Sequence, residues 1–323
     1  MNQITGRFAP TPSGRMHLGN LFCALTSWLS ARSQNGRYIL RIEDLDPLRC
    51  YREYSELIEE DMLWLGLDWD EGGLADKGPH SPYSQSVRTE IYEDALKKLE
   101  QKLKIYPCFC SRAELHAANA PHLSDGRVVY SGRCRDLTSE QQAEKLKKRG
   151  GALRVTVPDE TITFTDLCQG EYTEHLPTEC GDFIIRRSDG VFAYQLAVVV
   201  DDALMGVTEV VRGRDLLDSA PRQILLHREL GYQPPVFGHH PLILADDGRR
   251  LSKRDMDTDM GFLRRRFTAA ELLGQLGFAA GLIDRPEPLS SKELLSHFSW
   301  KKMKKDDIKI NAALFFGEQP KGE

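Results

Sequence analysis

The chain has 323 residues, an ordinary soluble-protein composition and a formal net charge of -5. That is enough for one large domain with insertions or for two or three modules. No apolar run approaches the roughly 20 residues a membrane helix needs, and Met1–Pro10 lacks signal-peptide character. Seven cysteines without such a signal indicate a reducing, cytoplasmic setting, where metal ligation outranks disulfides.

In chain order, Thr5–Ala9 reads as a strand running into the turn Pro10-Thr11-Pro12-Ser13-Gly14. Leu18, Leu21, Phe22, Leu25, Trp28 and Leu29 then recur at helical spacing. Tyr38–Ile42 is a second strand, ending in Glu43-Asp44, so the first forty-odd positions form a βαβ unit. Amphipathic helices are expected over Glu56–Leu65 and Ser86–Leu103. The character changes at Pro107, where Cys108-Phe109-Cys110 opens a Ser-, Gly-, His- and Arg-rich segment that closes at Cys134. A charged helix over about Ser139–Arg149 precedes short strands at Leu153–Val157 and Ile162–Phe164. Apolar core text returns at Asp182–Ile185 and Leu196–Val200. It is followed by a helix over Leu216–Leu230, a strand over Pro241–Leu244, and mainly helical text from Met256. The economical architecture is an α/β parallel-sheet domain split by a cysteine-bearing insertion. Its halves are 1–104 and 182–255, the insertion is 105–181, and a helical segment occupies 256–323. Such sheets bind ligands beyond the carboxyl ends of their strands.

Charge is unevenly spread. Lys97–Arg154 holds thirteen Lys/Arg against six Asp/Glu, and Lys301, Lys302, Lys304 and Lys305 form a second basic cluster. A basic patch on an acidic body suits local contact with phosphates, although solvated helix faces would look the same.

Three constellations carry chemistry. Arg7–Gly14 followed by His17-Leu18-Gly19-Asn20 lies at a strand end and opens a helix, whose exposed N–H groups and dipole favour phosphate. Gly14 and Gly19 leave room for a nucleotide, and His17, expected one turn into the helix, is placed to donate to an α-phosphate. The segment is neither GxGxxG nor a Walker loop. Arg250-Leu251-Ser252-Lys253-Arg254 follows a turn, and its lysine suits β- and γ-phosphates and departing pyrophosphate. Cys108, Cys110 and Cys134 fall within 27 residues. Three thiolates want a fourth donor around zinc, and Tyr130, His116 and His122 are the candidates nearby. The four other cysteines are scattered.

The paired His-x-Gly and Leu-Ser-Lys signatures resemble those of class I aminoacyl-tRNA synthetases. Arg7–Gly14, Arg41–Asp46, Tyr194–Asp202 and Val211–Asp215 resemble the glutamyl branch of that family. Asn20 stands where that branch often has His, and Arg250, Leu251 and Arg254 replace the usual Lys, Met and Ser. The resemblance implies a Rossmann-type sheet split by a zinc-containing insertion, with ATP, Mg²⁺ and L-glutamate as ligands. It puts His17, Gly19, Asn20 and Lys253 on ATP, with His17 and Lys253 catalytic. It puts Arg7, Phe8, Ala9, Pro10, Thr11, Glu43, Tyr194 and Arg212 on glutamate. Chemically, Glu43 suits an ammonium, while Arg7, Arg212 and the Tyr194 hydroxyl suit carboxylates. It also implies Tyr130 as the fourth zinc ligand.

After Lys253, 70 residues remain, too few for the large helical anticodon-binding domain of the usual glutamyl enzymes. A short protein of this pattern resembles the glutamyl-like enzymes that activate glutamate without tRNA and transfer it to queuosine in the anticodon loop of tRNA(Asp). An anticodon stem-loop, like an acceptor stem, is a short A-form helix ending in unpaired bases. The alternatives are a truncated glutamyl-tRNA synthetase charging the tRNA 3′ end and a non-catalytic tRNA-binding paralogue.

Overall fold

In the computed structural model, residues 3–115, 129–245, 247–249 and 259–310 are described. The first crossover runs from β1 (Thr5–Phe8) through α1 (Leu18–Ser33) to β2 (Arg37–Leu40). β2 lies parallel to β1, with Thr5 opposite Arg37. Parallel neighbours need such a helical crossover, and α1 supplies it by burying its whole apolar stripe, Leu18 to Leu29. α2 (Arg52–Trp64) leads to β3 (Glu71–Gly72), parallel to β2. α3 (Thr89–Glu100) completes the first half.

The chain then builds antiparallel structure from β4 (Ile105–Cys108), α4 (Arg112–Leu115), α5 (Ser139–Leu146), β5 (Ala152–Val155), β6 (Thr161–Asp166), β7 (Gly170–His175) and β8 (Phe183–Arg186). β4, β5 and β8 form one antiparallel sheet, and β6 with β7 forms a hairpin. The second half follows as α6 (Tyr194–Leu204), β9 (Glu209–Gly213), α7 (Ala220–Leu230) and β10 (Val236–His240), with β10 parallel to β9. β9 returns beside β1: Thr208 N–H donates to Thr5 O at 2.9 Å, and Thr5 N–H donates to the Thr208 hydroxyl at 2.9 Å. From β1 the chain therefore steps outward to β2 and β3 in one direction and later to β9 and β10 in the other. The space between the carboxyl ends of β1 and β9 is the topological switch point, where open α/β sheets hold ligands.

The last part comprises β11 (Ile243–Leu244), α8 (Met260–Arg266), α9 (Ala269–Ala280), α10 (Ser291–His297) and β12 (Ile308–Lys309). One apolar cluster joins α1, α2 and these late helices on one face of the sheet. A second joins α3, α6 and α7 on the other face.

Several elements differ from their sequence reading. His17 is the N-cap of α1, not a residue one turn inside it, because its imidazole takes the hydrogen bond that caps the helix. Arg214–Ser219 is a 3-10 turn ahead of α7, so the helix expected over Leu216–Leu230 begins later. β7 and β10 carry too few β-branched residues to stand out. The tail is not wholly helical, since β12 comes back to pair in parallel with β11.

Candidate active site and candidate metal centre

A cleft of about 560 Å³ opens at the switch point. Its walls hold Arg7, Phe8, Ala9, Pro10, Thr11, His17, Gly19, Asn20, Glu43, Tyr194 and Arg212. Those are all the candidate substrate residues except Lys253, which lies outside the described residues together with the rest of Arg250–Arg254. β1 delivers Arg7 to Thr11, the end of β2 delivers Glu43, the start of α6 delivers Tyr194, and β9 delivers Arg212.

The phosphate-side geometry is local. His17 Nδ1 accepts from Gly19 N–H at 3.0 Å, and Asn20 Oδ1 accepts from His17 N–H at 3.3 Å, closing a capping box. With Nδ1 an acceptor, the proton of the neutral ring sits on Nε2, the outer nitrogen. Gly19 is required here, since a Cβ would stand 2.9 Å from His17 Cε1. The missing side chain thus makes room for the imidazole itself. The cap leaves the positive end of the α1 dipole facing the cleft.

The wall that carries Arg7, Glu43 and Arg212 rests on buried ion pairs. Arg41 is fully buried, and its Nη1 donates to Asp202 Oδ1 at 2.6 Å while its Nη2 donates to Glu43 Oε1 at 3.1 Å. Arg7 Nε donates to the same Asp202 oxygen at 3.3 Å, and its Nη1 donates to Val211 O at 3.1 Å. Burial pushes the Glu43 carboxyl up, against the pull of Arg41 and Arg7. Burial acts the same way on Asp202, but there Arg41 and Arg7 prevail and hold the carboxyl below its ordinary range. Arg212 Nη1 donates to the Tyr194 hydroxyl at 3.1 Å and to Gln223 Oε1 at 2.8 Å. The result is a pocket whose walls carry the Glu43 and Asp215 carboxylates beside the Arg7 and Arg212 guanidiniums, with Glu43, Arg7 and Arg212 fixed by these bonds before any ligand arrives.

Arg41, Asp201 and Asp202 are functional supports to which sequence reasoning gave no role. The signal was present: two adjacent aspartates end the apolar run Leu196–Val200. A buried acid in such surroundings needs a cationic partner. Asp201 has one in Arg88, whose Nε donates to it at 2.7 Å.

Away from the cleft, the Sγ atoms of Cys108, Cys110 and Cys134 lie within 4.8 Å of one another. Cys110 and Cys134 sulfurs are 3.7 Å apart, and the Tyr130 hydroxyl is 3.4 Å from Cys108 Sγ and 3.8 Å from Cys110 Sγ. A tetrahedral site with about 2.3 Å metal–sulfur bonds separates its ligand atoms by about 3.8 Å. The four donors therefore fit a metal ion. Arg154 covers the Tyr130 ring at 3.9 Å. His116 and His122 lie outside the described residues.

The family model "tRNA synthetases class I (E and Q), catalytic domain" matches residues 3–279. A protein from Symbiobacterium thermophilum named "Glutamyl-Q tRNA(Asp) synthetase" is 50% identical, covering 96% of this chain and 96% of its own length. "Glutamate--tRNA ligase 1" of Thermoanaerobacter pseudethanolicus is 40% identical over 94% of this chain, but only 63% of its own length is covered. The crystal structure of a glutamate-tRNA synthetase from Elizabethkingia anophelis superposes with a TM-score of 0.82 at 29% identity, covering 97% of this chain and 69% of that one. With its parallel sheet, its cleft at the switch point and these matches, the chain belongs to the class I tRNA synthetases of the E and Q type, as a ligase of the group that includes the glutamyl-Q tRNA(Asp) synthetases.

Proposed function

We propose that this chain, a cytoplasmic enzyme, joins L-glutamate to ATP without tRNA, forming glutamyl-adenylate. It then transfers the glutamyl group to queuosine in the anticodon loop of tRNA(Asp). The observation that supports this most is the convergence of Glu43, Arg7, Arg212 and Tyr194 on one cleft beside the N-terminus of α1. Glu43 receives the substrate ammonium, and Arg7, Arg212 and the Tyr194 hydroxyl receive its carboxylates. Charge-assisted bonds of this kind contribute about 1.5–3 kcal/mol each.

In the first step the substrate α-carboxylate attacks the α-phosphate and pyrophosphate leaves. His17 Nε2–H and the helix N–H groups stabilise the crowded charge, and Lys253 neutralises the departing pyrophosphate. Mg²⁺ enters with ATP. In the second step a hydroxyl of the modified base attacks the mixed anhydride and releases AMP. Zinc held by Cys108, Cys110, Tyr130 and Cys134 is structural and takes no part in either step. Lys98, Lys102, Lys145 and Lys148 are exposed on the basic stretch, which suits it to the RNA backbone.

The test is glutamate-dependent ATP–pyrophosphate exchange without tRNA, followed by labelling of tRNA with radioactive glutamate. Labelling that requires queuosine and persists on tRNA from which the 3′-terminal adenosine has been removed is expected. Labelling abolished by that removal would instead mean charging of the 3′ end, and absence of exchange would mean a non-catalytic binder.

A further inference from the structure

We propose that Asp166 and His239, neither of them among the candidate residues above, position the Arg212 guanidinium and thereby set the affinity of the cleft for its amino-acid carboxylate. This rests on the glutamate reading above. Asp166 ends β6, in the antiparallel part of the chain, whereas His239 and Arg212 sit on the neighbouring strands β10 and β9. All three are nearly inaccessible, at 2%, 0% and 3% exposure.

The Arg212 and Asp166 contacts together select one protonation pattern. Arg212 Nε donates to His239 Nε2 at 3.0 Å. Arginine has no acceptor, so Nε2 must carry the lone pair and the ring proton must sit on Nδ1. Nδ1 lies 2.6 Å from Asp166 Oδ2, which accepts that proton's hydrogen bond. The other oxygen of Asp166 accepts backbone N–H bonds from Cys168 and Gln169 at 2.9 Å and from His239 at 3.1 Å. Burial pushes the His239 imidazole pKa down, which agrees with a neutral ring. Burial works to raise the Asp166 carboxyl, but its bonds from His239 and these amides hold it below the ordinary range.

Counting donors shows what the chain achieves. A guanidinium offers five N–H groups. On Arg212, Nε serves His239, Nη1 serves Tyr194 and Gln223, and one Nη2 hydrogen serves Leu216 O at 3.2 Å. One hydrogen remains on Nη2. The Tyr194 hydroxyl accepts from Arg212, so its own proton is left to donate. A substrate carboxylate in the cleft therefore meets two directed donors, and their aim depends on the orientation that His239 fixes at Nε. In metal sites, partners that orient ligating side chains change affinity about 10–100-fold when removed, and the same order is expected where a guanidinium is oriented for a carboxylate.

The experiment is glutamate-dependent ATP–pyrophosphate exchange by the full chain, with KM measured separately for each substrate. His239→Ala and Asp166→Ala should raise the glutamate KM about 10–100-fold while the ATP KM stays within about twofold of wild type. His239→Gln, whose amide oxygen can accept from Arg212 Nε, should recover much of the loss. A folded His239→Ala variant with wild-type glutamate KM, or equal rises in both KM values, would overturn the proposal. Nitrogen NMR of the histidines in the unaltered protein gives a second reading, with His239 assigned through the Phe237 ring stacked on it at 6.0 Å. A neutral, Nδ1-protonated ring supports the relay, and an Nε2-protonated or cationic ring refutes it. Wild-type protein without glutamate-dependent exchange would sink the glutamate reading alone, because the ring's protonation is read without substrate.

Discussion

The cleft and the cysteine lobe solve the same problem, holding polar groups in fixed places, by different means. In the cleft the partners come from distant parts of the chain: Arg7 and Val211 are 204 positions apart, and Arg41 and Asp202 are 161 apart. Their ion pairs are buried between two large apolar clusters. In the lobe the donors all fall between Cys108 and Cys134, around a small core of Tyr106, Cys108, Phe109, Tyr130 and Cys134. Its own hub is Asp182, which accepts from the Tyr106 hydroxyl at 2.6 Å and from Arg135 at 2.8 Å. A site assembled from distant segments is as stable as the whole fold. A site assembled from near neighbours over little apolar area depends on whatever binds it.

The first way to break this contrast is to remove the proposed metal. Chelation, or Cys110→Ser, should open the lobe, so that limited proteolysis within 105–150 accelerates at least about tenfold, a population shift of roughly 1.4 kcal/mol or more. Glutamate-dependent exchange should persist, because among the described residues the cleft walls and the Cys108, Cys110 and Cys134 site have none in common. Unchanged protease resistance in metal-free protein would remove the zinc assignment and, with it, the claim that the lobe leans on a ligand.

Exchanging one arginine in each region sharpens the comparison. Arg41→Met leaves the buried Asp202 and Glu43 without their main cation and should lower unfolding free energy by about 3–5 kcal/mol. The Arg135 side chain is 37% exposed, and Asp182 keeps its bonds from Tyr106 and the Val157 amide. Arg135→Met should therefore cost less than Arg41→Met, about 1–2 kcal/mol. Urea titrations of the two variants decide it, and equal losses would show that the lobe is as firmly built as the cleft.

Acid should act on the cleft body before the lobe. His227, on α7, and His240, in the cleft wall, are buried, and desolvation pushes both imidazoles down to about 4. Between that value and the unfolded value of about 6.5, the unfolded chain binds more protons than the folded one. Stability conferred by the neutral rings is thus present above about pH 6.5 and drains as pH falls towards 4, at roughly 1.4 kcal/mol per pH unit for each histidine. In urea melts at pH 7 and pH 5, His227→Gln should show a shallower loss than wild type. An unaltered slope would mean that the ring is charged in the folded state.

How much of this could be read from the sequence also divides between the two regions. The cysteine spacing displays its chemistry in one short stretch of text, and helical spacing gave α1 at once. The cleft's ligand-facing residues were legible through their motif setting. The groups that hold them were not. Asp166, His239 and Gln223 lie on β6, β10 and α7, and no local pattern says that these three elements meet. The motif alone puts His17 one turn inside α1, whereas the boundary is set by a capping bond from its own side chain, which spacing does not display. β10 was overlooked for a related reason. Gly238, His239 and His240 do not read as strand text, yet all three are buried there.

The smallest effect tests the lobe at its most local. α5 spans eight residues, buries none of them, and starts with a capping box in which Thr138 accepts from Gln141 N–H at 3.3 Å and Gln141 answers at 2.9 Å. So short a helix is marginal without tertiary support. With nothing buried, its cap is a large share of what keeps it formed, and Thr138→Ala should cost about 1 kcal/mol. The loss should appear as roughly fivefold faster hydrogen exchange of the α5 amides, with exchange in α1 and α6 unchanged. Thr268 caps α9 in the same way, and there Leu272, Leu273 and Leu276 are buried. There the apolar face holds the helix, so exchange should move less. If Thr268→Ala loosens α9 as much as Thr138→Ala loosens α5, then burial is not what separates the stable half of this molecule from the ligand-dependent one.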